Sequence, residues 1–319
     1  MWKVSRSNGR SRPQICLSGV LMRDLIGTLL IGITLGSIYS LMALALVLVW
    51  RSTRVVNFAQ AGQAILTTYI AYEIVTRTGV FWLAVLFAIA AGALFGAGIE
   101  YFLMRTLFKH VDDGPVAALA PVIATLGLLG VIRSVVGMIW GNDYRSFYPP
   151  VSTNGFVIGG EALPFSRLNV LVIVGSAIVM LIFTYIFQKT DLGLSLRAAA
   201  FQPEIARLAG IRVGPIRTMG WVFAGAAGAI AGVLITPNDI LSPNSLDVLL
   251  VFGFVAAVIG GLESLPGAVL GGMVLGIGVA FVLNYVGTTL IFPAVFVVLL
   301  LSLIIRPNGL LGYKKVRSA

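Results

Sequence analysis

Nine apolar runs, most of them near the length needed to cross a bilayer, divide this sequence from end to end. Roughly, they cover residues 25 to 50, 61 to 76, 80 to 103, 116 to 140, 168 to 187, 215 to 236, 246 to 262, 265 to 284 and 288 to 305. About 20 apolar residues span the hydrocarbon core, and no soluble fold needs nine such runs. Hydrophobic residues make up 58% of the chain and charged residues 11%, with a mean hydropathy of +1.00. The expectation is an all-α, polytopic membrane helix bundle of eight to nine spans. The second and seventh runs are short, which leaves a broken or re-entrant form open for each.

The 37 glycines include the spaced pairs Gly32/Gly36, Gly92/Gly96, Gly228/Gly232, Gly267/Gly271 and Gly272/Gly276. Small residues four apart let membrane helices cross closely, and packing alone accounts for such pairs.

A net charge of +10 invites a nucleic-acid reading, but the basic residues lie in loops between runs and form no stripe with aromatics. Topology explains them better. With residues 51 to 60, 104 to 115, 188 to 217 and 306 to 319 inside, 13 Lys/Arg are cytoplasmic and 8 are outside. The positive-inside rule then gives an outside N-terminus, nine crossings and a cytoplasmic C-terminus. The sequence divides into a basic leader over 1–24, a membrane domain over 25–305 with a cytoplasmic loop at 188–214, and a basic tail over 306–319.

Four of the outside charges, Lys3, Arg6, Arg10 and Arg12, belong to the leader; without them the ratio is 13 to 4. Its apolar stretch, Ile15 to Met22, is short and lacks a small-x-small cleavage site, which argues against a signal peptide. Two readings remain. Either the second run is re-entrant, or translation of the native protein starts near Met22 and residues 1 to 21 are poorly ordered. The charge ratio favours the second.

Asp191 to Val213 is the polar stretch between two long runs. Within it, Pro203 suits a first helical position, Gln202 before it is pushed out of the α region, and Glu204 suits the positive end of a helix dipole. Arg207 and Gly210 mark an end. Ile205, Leu208 and Ala209 would share one face of a two-turn helix too short to stand alone, so a partner surface is expected.

Several chemistries lack their residues. His110 is the sole histidine and Cys16 the sole cysteine, so no metal site or disulfide framework is expected. No G-x-x-x-x-G-K-[ST] motif is present to cradle ATP. Glu73 and Glu100 fall near run ends and Asp247 at a run start, with no acid at a run centre where ion-coupled carriers place one. Arg133 is the one charge inside a run. It either snorkels to the nearer end, seven residues away, or lines a polar seam facing a partner; the short reach favours snorkelling.

The first and sixth runs are both long, contain glycines, and lead through an asparagine-bearing linker into a shorter run. The linkers are Asn57-Phe58-Ala59-Gln60-Ala61-Gly62 and the segment from Pro237-Asn238 to Pro243-Asn244. Opposite directions across the membrane make this the pattern of an inverted repeat. Asn57 reads equally as a helix cap or as a polar group on a solute path.

Taken together, these segments resemble permease subunits of ABC importers for branched-chain amino acids. The resemblance rests on G-I-T-L-G-S-I-Y-S-L (Gly32 to Leu41), V-N-F-A-Q-A-G (Val56 to Gly62), and A-T-L-G (Ala124 to Gly127) ahead of Trp140-Gly141. It continues through Leu196-Arg197-Ala198, Ala206 to Ile211, Ala257 to Gly272 and R-P-N-G-L-L-G (Arg306 to Gly312). Gln60-Ala61-Gly62 and Arg133 depart from the usual pattern. The resemblance implies a second homologous permease subunit, two ABC ATPase subunits that bind the ATP, an extracytoplasmic solute-binding protein, and residence in a prokaryotic inner membrane. No cofactor and no enzymatic activity are implied for this chain, and lipid is its solvent.

Arg197, Gln202, Pro203, Glu204, Arg207, Leu208 and Gly210 are then expected to couple to the ATPases. Thr34, Tyr39, Asn57, Phe58 and Thr125 are expected to border the translocation route. The same scaffold serves urea and short amides, which is the alternative within the class. A secondary transporter or passive channel is disfavoured by the missing mid-membrane acid, and an intramembrane enzyme by the lack of a nucleophile–base or metal set.

Overall fold

The computed structural model describes residues 13–110, 115–158 and 161–312. Each apolar run is a helix: α1 (Pro13–Thr53), α2 (Gln60–Thr78), α3 (Phe81–Gly98), α5 (Pro115–Trp140), α6 (Arg167–Lys189), α9 (Val213–Ile235), α10 (Asp247–Gly260), α11 (Leu265–Tyr285) and α12 (Ile291–Ile305). Among the described residues, seven helices are long and apolar enough to cross a membrane. The chain is an all-α, multi-pass membrane protein. The backbone of residues 13–24 continues α1 as helix; the expectation of disorder over 1–21 otherwise lies outside the described residues.

The two short runs have different causes. α2 is one unbroken helix of 19 residues, about 28 Å long and so long enough for the core. It read as short because it buries Gln60, Gln63, Thr67 and Thr68. Thr67 and Thr68 donate to the Ala64 carbonyl, at 2.9 and 2.7 Å, so their hydroxyls cost little there. α2 is not broken, and it turns at Gly79, φ +70, straight into α3. By contrast α10 is short, with only 14 residues.

The packing has a pseudo-twofold pattern. Exchanging α1, α2 and α3 with α9, α10 and α11 maps α1 on α11 to α9 on α3, α1 on α10 to α9 on α2, and α2 on α3 to α10 on α11; each of these pairs packs. α1 runs antiparallel to α9, since Ser52 meets Gly220 near the end of one and the start of the other. The expected inverted repeat is thus present in the contacts, although residue identity between the halves does not reveal it. The spaced glycines sit at these crossings: Gly32 and Gly36 against Ile277 and Met273, Gly92 and Gly96 against Gly225 and Trp221, and Gly271 against Ala256.

α3 continues through a π-helical turn, Ile99–Met104, into α4 (Arg105–His110). The 141–166 loop holds β1 (Arg145–Ser146) and the antiparallel pair β2 (Gly155–Ile158) and β3 (Glu161–Ser166). β1 pairs with β4 (Ile240–Leu241), tying the exit of α5 to the exit of α9. Between α6 and α9 lie α7 (Asp191–Phe201) and α8 (Pro203–Leu208).

Candidate functional site

The docking segment is a two-helix platform. Gln202, with φ −142 and ψ 89, breaks the chain between α7 and α8, as a residue before proline must. Pro203 is the first residue of α8, Glu204 lies in its first turn and Arg207 in its last. Gly210 then takes φ +83, and the Ile211 amide donates to the Ala206 carbonyl at 2.9 Å. Ala199, Ala206 and Val213 form a small core that fixes both helices to the start of α9.

What this core leaves out is informative. Leu208 is 89% exposed, Phe201 78%, and Ile205 and Leu194 lie open beside them. These open apolar side chains lie in a loop rich in charge, where an exposed apolar patch marks a contact surface. Arg197, also in the coupling set, has an internal role in this structure: its Nη1 donates to the Phe187 carbonyl at 2.7 Å, closing α7 onto α6. Leu194, Phe201 and α7 itself escaped the sequence reading, because Leu192, Leu194 and Leu196 alternate at a strand-like period of two.

Arg207 shares a pocket of about 300 Å³ with Glu100, Arg105, Lys109, Gly214 and Arg217. Glu100 is not at a helix end: the helix continues past it and leaves it 3% exposed. Its Oε2 accepts from Arg105 Nη2 at 3.0 Å and from the Thr218 hydroxyl at 2.5 Å, binding α3 to α9.

The five route residues do not share one cavity. Thr34 lines an outer cavity of about 430 Å³ with Ile38, Pro164, Asn169, Asn238 and Asp239, while its hydroxyl donates to Leu30. Tyr39 is buried edge-on against Phe252, with ring centroids 5.2 Å apart. Asn57 is fully buried in the turn ahead of α2, not as its N-cap, which is Ala59: its Oδ1 accepts from the Ala59 amide, and its Nδ2 donates to Gln60 Oε1. Gln60 passes the network on by donating to the Ala224 carbonyl at 2.9 Å, in space that Gly228 leaves open. Phe58 is half-buried beside Phe254, and Thr125 is buried with its hydroxyl on the Val122 carbonyl.

Arg133 has a partner across the bundle. Its Nη2 is paired with Asp247 Oδ1, joining α5 to the start of α10. Distance in sequence hid this partner, since 114 residues separate the two. Among the described residues no cluster of His, Cys, Asp or Glu is arranged to hold a metal ion.

A family model described as "Branched-chain amino acid transport system / permease component" matches residues 28–305. The chain belongs to this family. Its relatives include the "Probable branched-chain amino acid transport permease protein LivH" of Methanocaldococcus jannaschii, 27% identical over 93% of this chain and 97% of that one. The high-affinity branched-chain amino acid transport system permease protein BraD of Pseudomonas aeruginosa is 28% identical over 89% of this chain and 95% of its own. LivH of Escherichia coli K12 is 27% identical over 89% and 94%. The permease thus matches these relatives over nearly their whole lengths.

Proposed function

We propose that this permease is one membrane subunit of an ABC importer that moves branched-chain or similar amino acids into a prokaryotic cell across the inner membrane. A second homologous permease completes the pore, two ATPase subunits drive it, and an extracytoplasmic binding protein delivers the solute. The observation that carries the reading is the open apolar face of α8, Ile205 and Leu208, on a chain whose relatives are named amino acid permeases. With no phosphate-cradling motif of its own, the chain needs hydrolysis from a partner, and α8 offers the mechanical contact. Nucleotide-driven movement of the ATPases would pull on α8 and rock the helix bundles around a central path, giving alternating access.

The test is uptake by proteoliposomes holding the permease pair, the ATPases and the binding protein. Leucine accumulation that requires internal-face ATP supports the reading. Uptake of urea or a short amide in its place would move the assignment to the amide branch, and ATP-independent uptake would overturn it.

A further inference from the structure

The Arg133–Asp247 pair lies deeper than a loop contact. α10 has 14 residues, about 21 Å, against a hydrocarbon core of about 30 Å. Its inner end is fixed at the cytoplasmic side, where Arg54, just past α1, pairs with Glu263 at 2.5 Å. Asp247 at its outer end therefore stops about 9 Å short of the outer interface. Independently, Arg133 stands seven residues before Trp140, the end of α5, which is about 10 Å. Both estimates put the pair inside the membrane.

Neither side chain is enclosed. Arg133 is 31% and Asp247 38% exposed, and an ion pair opening onto acyl chains at that depth is costly. Its open edge therefore faces water, a polar solute or the second permease subunit. Asp247, Val251, Phe254 and Val258 follow at helical spacing as a partly open strip of α10. The strip ends in a cytoplasmic-side cavity of about 530 Å³ lined by Trp50, Phe254, Val258 and Glu263. A charged pair at the top, an apolar wall below and an inner opening form one continuous face.

Resting on the amino-acid importer reading above, we propose that Arg133 and Asp247 recognise the zwitterionic headgroup of the translocated amino acid. The guanidinium takes the α-carboxylate and the Asp247 carboxylate takes the α-ammonium, each exchanging its partner for the solute. The aliphatic side chain lies against Val251 and Phe254. Arg suits this role because its planar fork meets a carboxylate through two donors. Urea and short amides carry neither charge and could not replace the pair.

Labelled leucine uptake by the assembled importer in proteoliposomes tests this. R133Q and D247N should each lower uptake at least tenfold while the subunit still inserts and copurifies with its partners. A pair that only held α5 to α10 would be relieved by neutralising both ends, so R133Q/D247N decides: recognition keeps uptake at least tenfold down, and uptake within twofold of wild type overturns the inference. Should the double variant fail to insert, R133K decides instead. Lysine keeps the ion pair but loses the fork, so recognition gives at least threefold lower uptake, and unchanged uptake overturns it. If the wild type moves no amino acid, the functional reading itself fails; wild-type leucine uptake matched by R133Q/D247N sinks this inference alone.

Discussion

Gly276 of α11 meets Gly36 of α1 so closely that a Cβ on Gly276 would stand 2.1 Å from the Gly36 amide nitrogen. The repeat-related crossing is built alike: a Cβ on Gly225 of α9 would stand 2.0 Å from the Gly92 carbonyl oxygen of α3. Two glycine-on-glycine crossings, related by the repeat, therefore hold α1 against α11 and α9 against α3, each joining one half to the other. Lipid supplies no hydrophobic drive between helices, so backbone proximity of this kind carries much of the association.

Gly276→Ala forces backbone apart at the crossing and should destabilise the permease by about 3 kcal/mol, the upper end for overpacking. Gly278, two residues on, has open space around its Cβ position. Gly278→Ala should be neutral. Thermal unfolding of both variants in detergent checks this, and equal melting temperatures would refute it.

Leu208→Asp places a charge on the open face of α8 without touching Ala206, the residue that packs it. ATPase copurification should fall at least tenfold while membrane insertion is unchanged. Glu204→Lys, at the rim of the same face, should uncouple transport in the same way. Normal leucine uptake by either variant would remove α8 from the coupling role.

Glu100→Gln removes the negative charge that Arg105 pairs with between α3 and α9, while an amide oxygen and the Thr218 hydroxyl, 3.0 Å from Arg105 Nη2, remain as neutral acceptors. Breaking a buried pair costs about 3 to 5 kcal/mol, but Arg105 is about one-third exposed, so about 2 kcal/mol is expected here. Denaturation of Glu100→Gln beside Thr218→Val separates the charge from the hydroxyl. A Glu100→Gln protein as stable as wild type would mean that the pair contributes nothing.

Local periodicity and composition made the helices readable, because a bilayer admits few other backbones. The α8 boundaries were equally legible, since Pro203 and Gly210 act within a few residues of themselves. Long-range pairing was not: nothing near Arg133 names Asp247, and nothing near Glu100 names Thr218. Asn57 shows the remaining limit. A buried asparagine between helices fits a cap or a solute path, and only the position of Gln60 reveals that its amide is already engaged.

The route residues divide by what a water-soluble reagent can reach. Thr34 lines the outer cavity, whereas Thr125 is fully buried against its own helix. With Cys16 replaced by serine, Thr34→Cys should react from outside with a membrane-impermeant thiol reagent, and Thr125→Cys should stay protected in this conformation. Alternating access opens one side by moving the helix bundles, so Thr125→Cys or Asn57→Cys should become reactive in at least one nucleotide state of the assembled importer. Protection of both cysteines in every state would leave Asn57 as a buried turn residue and Thr125 as a packing residue. The solute would then pass along the face of α10 instead, where Val251→Cys offers the parallel measurement.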